Sequence, residues 1–106
     1  MTIVMSFVKL FLGKFVHMRS SKLREAVCSE LVRILREERK RKALSMTRLA
    51  EQAGLSQSMI SLVERDLRNP TLDTLLRMTD VLGLELSEIL VRAKQAASRR
   101  TSENPK

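Results

Sequence analysis

Five side chains at helical spacing form the candidate binding surface of this sequence. The set contains three hydrogen-bonding groups, one leucine and one cation: Gln57, Ser58, Ser61, Leu62 and Arg65. These positions fall on one face of an α-helix, because its period is 3.6 residues. A glutamine near the start of a helix can bond bidentately to the edge of an adenine in the major groove of DNA. The pattern therefore predicts a non-covalent, base-reading surface.

Residue types for covalent or metal chemistry are sparse in the sequence. It has one histidine, His17, and one cysteine, Cys28, and so offers neither a Cys/His ligand cluster nor a Ser/His/Asp set with a second histidine. It has no glycine-rich phosphate loop, and the adjacent Glu37 and Glu38 point apart on a charged helix. We predict that the protein is not an enzyme and needs no metal and no cofactor. A lone cysteine cannot form an internal disulfide, which favours a reducing cytoplasm.

The binding residues require two short helices joined by a tight turn. Gly54 can adopt the left-handed conformation that ends a helix, and Ser56 can cap the next helix by accepting a backbone N–H bond. Ala50 is small enough for two helices to cross closely, as in a helix-turn-helix. Apolar residues complete the inner side of the unit: Leu49, Ala53, Leu55, Ile60 and Val63.

Three further helices are predicted around this unit. The longest covers about residues 20–42 and has a charged outer face made of Arg33, Arg36, Glu37, Glu38 and Arg39. Thr71 caps a helix that Gly83 ends, and a last helix runs to about Ala97. The basic run at residues 39–42 is either a solvated helix end or a phosphate contact.

These residues closely resemble the Cro and phage-repressor type of helix-turn-helix, known as the XRE family. The resemblance covers roughly residues 31–90 and keeps several motif segments in register: Leu44-Ser45, Leu49-Ala50, Ala53-Gly54-Leu55-Ser56-Gln57, Ile60-Ser61, Val63-Glu64-Arg65, Arg68-Asn69-Pro70-Thr71-Leu72 and Leu75-Leu76. It implies an all-α, five-helix fold of the lambda-repressor type, here with an additional apolar N-terminal segment. The alternative is a small helical bundle whose glycines and caps serve only folding.

The resemblance implies a sequence-specific DNA-binding transcriptional regulator that binds a palindromic operator as a homodimer. Helix 57–65 would enter the major groove of double-stranded DNA, with base-reading contacts from Gln57, Ser58, Ser61 and Leu62. Contacts to the DNA backbone would come from Met46, Thr47, Arg65, Arg68 and Asn69. Two residues depart from the family pattern, because Met46 stands where glutamine is common and Leu62 stands where a polar or basic residue is frequent.

Glu64 lies on the reading helix, where an unpaired carboxylate would repel DNA phosphates. In similar proteins this glutamate pairs with an arginine of the first helix. The hydrophobic register points to Arg36, whereas a count back from Ser45 points to Arg39. We predict that Arg36 and Glu64 form the structural ion pair.

The charge distribution separates a nearly neutral reading unit from basic flanks. The chain of 106 residues has room for one small domain, and its formal net charge of +8 favours a polyanionic partner. Residues 19–42 carry nine cations and four anions, whereas residues 43–94 carry six and seven. Phosphate attraction must therefore come from individual side chains, helix N-termini and the basic flanks.

The first residues differ in composition from the rest of the chain. Phe7, Phe11 and Phe15 recur every four residues, in a segment too short for a membrane span and without the features of a secretory signal. We assign residues 1–18 to an apolar extension able to form a helix, residues 19–97 to the helix-turn-helix domain and residues 98–106 to a flexible tail. We predict that the extension packs on the domain or on a second subunit. The alternatives are weak contact with a membrane surface and an upstream extension before a functional start at Met18.

A second class of function remains an alternative. The same fold serves as a protein-interaction module, such as the antitoxin of a toxin-antitoxin pair, and would hold a protein partner through the phenylalanine stripe or the last helix. The first class of function predicts a cytoplasmic, nucleoid-associated protein with no stable membrane insertion.

Overall fold

The protein folds into five α-helices in a computed structural model that describes the backbone of residues 2–103 and the side chains of residues 21–100. The helices are α1 Thr2–Arg41, α2 Met46–Ala53, α3 Gln57–Glu64, α4 Leu72–Leu82 and α5 Leu86–Glu103. The predicted all-α, five-helix fold is confirmed. The packing predicted for Phe7, Phe11 and Phe15 lies outside the described side chains. Among the described residues, no helix is long and apolar enough to cross a membrane.

Backbone caps fix the turn between α2 and α3 as the sequence predicts. Gly54 has a φ of +70°, in the left-handed region, and the Leu55 N–H donates to the Ala50 carbonyl at 2.8 Å. The Ser56 hydroxyl accepts the Met59 N–H at 3.0 Å and caps α3. A left-handed residue with a Cβ costs about 1–2 kcal/mol. The direction of α3 is therefore set locally, by a glycine and a serine two residues apart.

The main core joins α1, α2, α3 and α4. Its buried side chains are Val32, Leu35, Leu49, Ala50, Ile60, Val63, Met78 and Leu82. Each larger apolar side chain removed from water contributes about 1.5–3 kcal/mol of transfer free energy. The inner sides of α2 and α3 are thus held inside the protein, which leaves the opposite side of α3 to solvent.

The last helix packs on α1 over a longer stretch than its pattern predicted. A second core cluster joins these two helices through Leu31, Ile34, Ile89 and Ala93. The sequence predicted a helix end at about Ala97 and a flexible tail from Ser98, whereas α5 continues to Glu103. Ala97 itself is fully buried. Small residues at four-residue intervals, Ala93 and Ala97, let α5 lie close to α1 and carry the helix past its last large apolar residue.

Two buried carboxylates of α1 face arginines of α5. Arg100 Nη1 donates to Glu30 Oε2 at 2.9 Å, and Arg92 Nη1 lies 3.9 Å from Glu38 Oε1. The sequence placed Glu38 on the charged outer face, but it is only 5% exposed because α5 covers that side of α1. Because α1 and α5 are antiparallel, the earlier glutamate of α1 pairs with the later arginine of α5, and the later glutamate pairs with the earlier arginine. They fix the register of α5 on α1.

The pKa of Glu30 makes the α1–α5 contact pH-dependent. The hydrogen bond from Arg100 lowers this pKa below its ordinary value, against burial, which raises it. A carboxylate with a lowered folded-state pKa stabilises the fold above its unfolded-state pKa of about 4.3, and the contribution is lost as the pH falls through the folded-state pKa.

We expect Arg100→Ala to lower the free energy of unfolding by about 1 kcal/mol at pH 7, a modest value because the arginine is half exposed. The difference from the wild type should shrink as the pH falls from the unfolded-state pKa of about 4.3 through the lowered folded-state pKa, because Glu30 gains its proton over that range. Urea unfolding at several pH values measures both effects. Arg99→Ala removes the same charge from the neighbouring exposed position and serves as the control. An equal loss in the two variants would contradict the assignment.

Candidate nucleic-acid interface

The outer face of α3 carries polar side chains that the fold leaves unpaired. Gln57 and Ser58 are exposed, and Ser61 and Leu62 are half-buried. Within the part of the chain that the structure describes, the side chains of Gln57, Ser58 and Ser61 make no hydrogen bond to the protein. Ile60 on the opposite face is fully buried, so the polar groups project outward. The structure thus brings the four predicted base-reading residues onto one accessible helix face.

The start of α2 offers backbone donors next to this face. Met46 and Thr47 follow the cap residue Ser45, whose hydroxyl accepts the Arg48 N–H at 3.1 Å. The N–H groups of Met46 and Thr47 have no acceptor within the helix, as in the first turn of any α-helix. The side chain of Met46 packs partly on the main core. Its backbone N–H and the exposed Thr47 are therefore the groups that can meet a phosphate here.

The loop after α3 holds the remaining residues predicted to contact the DNA backbone. Arg65, Arg68 and Asn69 are all exposed there. Asp66 has a φ of +58°, and its Oδ2 accepts a hydrogen bond from the Ser29 hydroxyl of α1 at 2.5 Å. No sequence pattern indicated a contact between these two positions, which lie 37 residues apart. Their bond ties the loop that carries the exposed arginines to the longest helix.

A bidentate ion pair holds the C-terminal end of α3 against α1. Arg39 Nε donates to Glu64 Oε2 at 2.6 Å, and Arg39 Nη2 donates to Glu64 Oε1 at 2.9 Å. The exposed fractions of the two side chains are 9% and 3%. The third nitrogen, Nη1, donates to the Leu44 carbonyl at 2.7 Å in the turn between α1 and α2. One guanidinium therefore joins three segments and neutralises the Glu64 carboxylate of α3.

The prediction that Arg36 pairs with Glu64 is wrong. Arg36 is exposed, whereas Arg39 follows the buried Val32 and Leu35 by seven and four residues and so shares their face of α1. Arg36 follows Leu35 directly and is therefore about 100° away around the helix. The other choice, Arg39, which comes from counting back from the cap residue Ser45, is the correct partner. Arg39 is buried and therefore does not belong to the charged outer face that was predicted for α1.

Arg77 of α4 makes a contact that no sequence pattern indicated. Its Nη1 donates at 3.2 Å to the carbonyl of Ala53, the last residue of α2, and its Nε donates at 2.8 Å to Asp73 Oδ2. A Cβ at Gly54 would lie 3.0 Å from the same Nη1 atom. The Arg77 guanidinium therefore covers the turn between α2 and α3. From sequence alone, Asp73 and Arg77 form only an ordinary surface pair four residues apart.

The chain belongs to the helix-turn-helix family, and it is of the XRE type that its motif residues resemble. The family described as Helix-turn-helix (HTH_3) matches residues 35–89, which include α2, α3 and α4 complete. The solved clp gene regulator ClgR from Corynebacterium glutamicum has a TM-score of 0.67 to this chain at 22% identity, covering 74% of this chain and 84% of that one. This likeness shows a shared fold.

The chain is similar in sequence to proteins named as transcriptional regulators and to one named as a repressor. The immunity repressor protein of Bacillus phage phi105 is 39% identical over 70 residues, which cover 61% of this chain and 46% of the repressor. An uncharacterized HTH-type transcriptional regulator of Haemophilus influenzae is 36% identical over 78 residues, covering 74% of this chain and 76% of that protein. The HTH-type transcriptional regulator PuuR of Escherichia coli is 44% identical over 54 residues, 51% of this chain and 29% of PuuR. The chain thus spans less than half the length of two of these three relatives.

We expect Arg39→Ala to lower the free energy of unfolding by about 3–5 kcal/mol, because it leaves the buried Glu64 carboxylate without its counter-charge. Arg36→Ala, on the exposed side of the same helix, should change it by less than about 0.5 kcal/mol. Urea unfolding followed by circular dichroism measures both variants. A larger loss for Arg36→Ala than for Arg39→Ala would refute the pairing.

Proposed function

We propose that the protein is a sequence-specific, DNA-binding transcriptional regulator that inserts α3 into the major groove of a palindromic operator as a homodimer. The outer face of α3 carries the proposal, since its amide and hydroxyl groups are accessible and have no partner within the described chain. The names of the relatives agree with this function, because they include two HTH-type transcriptional regulators and an immunity repressor. The protein would act by binding in the cytoplasm, without catalysis.

Base selection is assigned to the first turns of α3. The Gln57 side chain offers an amide donor and acceptor in the fork geometry that pairs with adenine, and the hydroxyls of Ser58 and Ser61 accept or donate according to the base edge. Leu62 is half-buried, so its contact is limited to an apolar group such as a thymine methyl. The ion pair with Arg39 favours this role, because it removes the charge of Glu64 from a surface that must approach phosphates.

Contacts to the DNA backbone are assigned to both ends of the reading unit. Met46 and Thr47 present N–H groups at the start of α2, where the helix dipole also favours a negative group. Arg65, Arg68 and Asn69 lie in the exposed loop after α3. Such contacts set the position of the protein on the duplex and raise affinity for every sequence.

The homodimer follows from the size of the reading element. A helix of eight residues contacts too few base pairs to select one site in a genome. Two copies related by a twofold axis place two such helices about 34 Å apart, on one side of the duplex. Leu90 and Val91 on α5 are exposed, which leaves apolar surface for a second copy.

Selection of bound duplexes from random DNA by the full chain tests the proposal. The expected product is an inverted repeat whose half-sites are centred about 10 base pairs apart, or a multiple of that spacing. Light scattering should give the mass of a dimer. A folded protein that enriches no sequence would overturn the proposed function, and enrichment of a single unrepeated half-site by a monomer would overturn the palindromic homodimer.

We expect Gln57→Ala to weaken binding to the selected site by about 1–3 kcal/mol and to relax the preference at one base pair of each half-site. The physical reason is the loss of a bidentate contact to a base edge. Fluorescence anisotropy against a panel of single-base variants measures both effects. Gln95→Ala removes the same group from an exposed position on α5 and should bind as the wild type does, provided that light scattering gives it the mass of the wild type. If Gln57→Ala kept the base preference of the wild type, Gln57 would not be a base-reading residue.

We expect Arg68→Ala to weaken binding to all sequences alike and to reduce the slope of log affinity against log salt concentration by about one. This is the signature of one lost phosphate contact. Arg99→Ala makes the same change at an exposed position near the end of α5 and should leave the slope unchanged. A sequence-dependent loss in Arg68→Ala would instead indicate a base contact.

A further inference from the structure

The reading helix is too short to hold its own position. With eight residues, α3 spans about 12 Å, and an isolated helix of this length is unstable in water. Its position on the rest of the protein must therefore come from contacts at its two ends and along its buried face. The C-terminal end is anchored to α1 through Glu64 and Arg39. The N-terminal end begins at the turn that Gly54 forms.

A hydrogen bond from Arg77 of α4 to the Ala53 carbonyl supports the turn before α3. We call this contact the brace. The last carbonyls of a helix have no N–H donor within it, and the helix dipole makes that end a favourable place for a cation. Arg77 Nη1 meets both conditions by donating to the Ala53 carbonyl at 3.2 Å across 24 residues of chain. Asp73 holds the other side of the guanidinium through Nε at 2.8 Å. The loop between α2 and α3 is thus connected to α4 through Arg77 and Asp73, which lie four residues apart.

Gly54 allows the left-handed turn and also leaves space for the Arg77 guanidinium. A Cβ at position 54 would stand 3.0 Å from Arg77 Nη1, closer than carbon and nitrogen atoms normally approach. A side chain at position 54 would require the end of the Arg77 side chain to shift by a few tenths of an ångström, in a place where it bonds the Ala53 carbonyl. The glycine therefore serves two needs, a φ of +70° and space for the arginine.

We propose that Arg77 is a positioning residue for DNA recognition, which fixes the angle at which α3 leaves α2 by bonding the Ala53 carbonyl to α4. The inference rests on the proposed function, since α3 must be the reading helix. Arg77 acts through the α2–α3 turn, and its own guanidinium does not touch the DNA. Without the brace, α3 samples a wider range of angles and its side chains meet their base edges less often.

The test compares Arg77→Ala and Arg77→Gln with the wild type on the duplex selected from random DNA and on a scrambled duplex. We expect binding to the selected site to weaken about tenfold, binding to the scrambled duplex to change less than twofold, and the salt slope to stay that of the wild type. Arg77→Lys keeps the charge and a donor for the carbonyl but lacks the planar fork that bonds the carbonyl and Asp73 together, and it should recover part of the selectivity. Arg99→Gln, an exposed arginine of α5, is the matched control.

Position 54 supplies a second, independent measurement. Asn tolerates the left-handed conformation, so Gly54→Asn tests mainly the crowding of Arg77. This change should reduce selectivity in the wild-type background and have a smaller effect when Arg77 is already alanine. Urea unfolding of each variant identifies those that are folded under the binding conditions.

Three results would overturn the inference. A loss that is equal on the selected and scrambled duplexes, with a salt slope reduced by about one, would make Arg77 a direct phosphate contact. Lower stability with unchanged selectivity would make the brace purely structural. Equal effects of Gly54→Asn in both backgrounds would separate the glycine from the arginine. If the wild type itself selected no sequence, the proposed function would fail instead, which is a different outcome from any of these three.

Discussion

The buried pair of Arg39 and Glu64 is the interaction on which the arrangement of α2 and α3 against α1 depends. Two parallel hydrogen bonds give the pair a fixed geometry, and a third bond to Leu44 brings the connecting turn into the same unit. Removing two charges from water is costly, so such a pair adds little net stability compared with a well-packed apolar pair. Its contribution lies in geometry, because two parallel hydrogen bonds from one rigid guanidinium constrain the orientation of α3 on α1.

Arginines supply most of the polar connections between the helices of this protein. Arg39 joins α1 to α3, Arg77 joins α4 to the end of α2, and Arg92 and Arg100 join α5 to α1. The guanidinium suits this use because it has five donors in a rigid plane and keeps its charge when partly buried. These four arginines thus serve to connect the helices, whereas Arg65 and Arg68 lie exposed in the loop after α3.

The local elements of the fold could be predicted because their causes lie within a few residues. Gly54, Ser56, Thr71 and Gly83 mark helix ends through their own conformational preferences and short side-chain bonds, and all four lie where the sequence places them. Prediction was weaker for charged residues on α1. Glu38 and Arg39 belong to a run of charges that is typical of a solvated helix end, yet both are buried because α5 and α3 bring opposite charges to them.

The sequence by itself determined the helical class, the tight turn after α2 and the set of polar residues on the outer face of α3, since periodicity and capping act over three or four residues. Only the tertiary structure decided which arginine meets Glu64, how far α5 extends along α1, and that Arg77 covers Gly54. These outcomes depend on helices that are distant in the sequence and on where their surfaces meet. Arg36 and Arg39 are three residues apart and so differ by about 60° around the helix, a difference that the packing of α1 against α3 resolves.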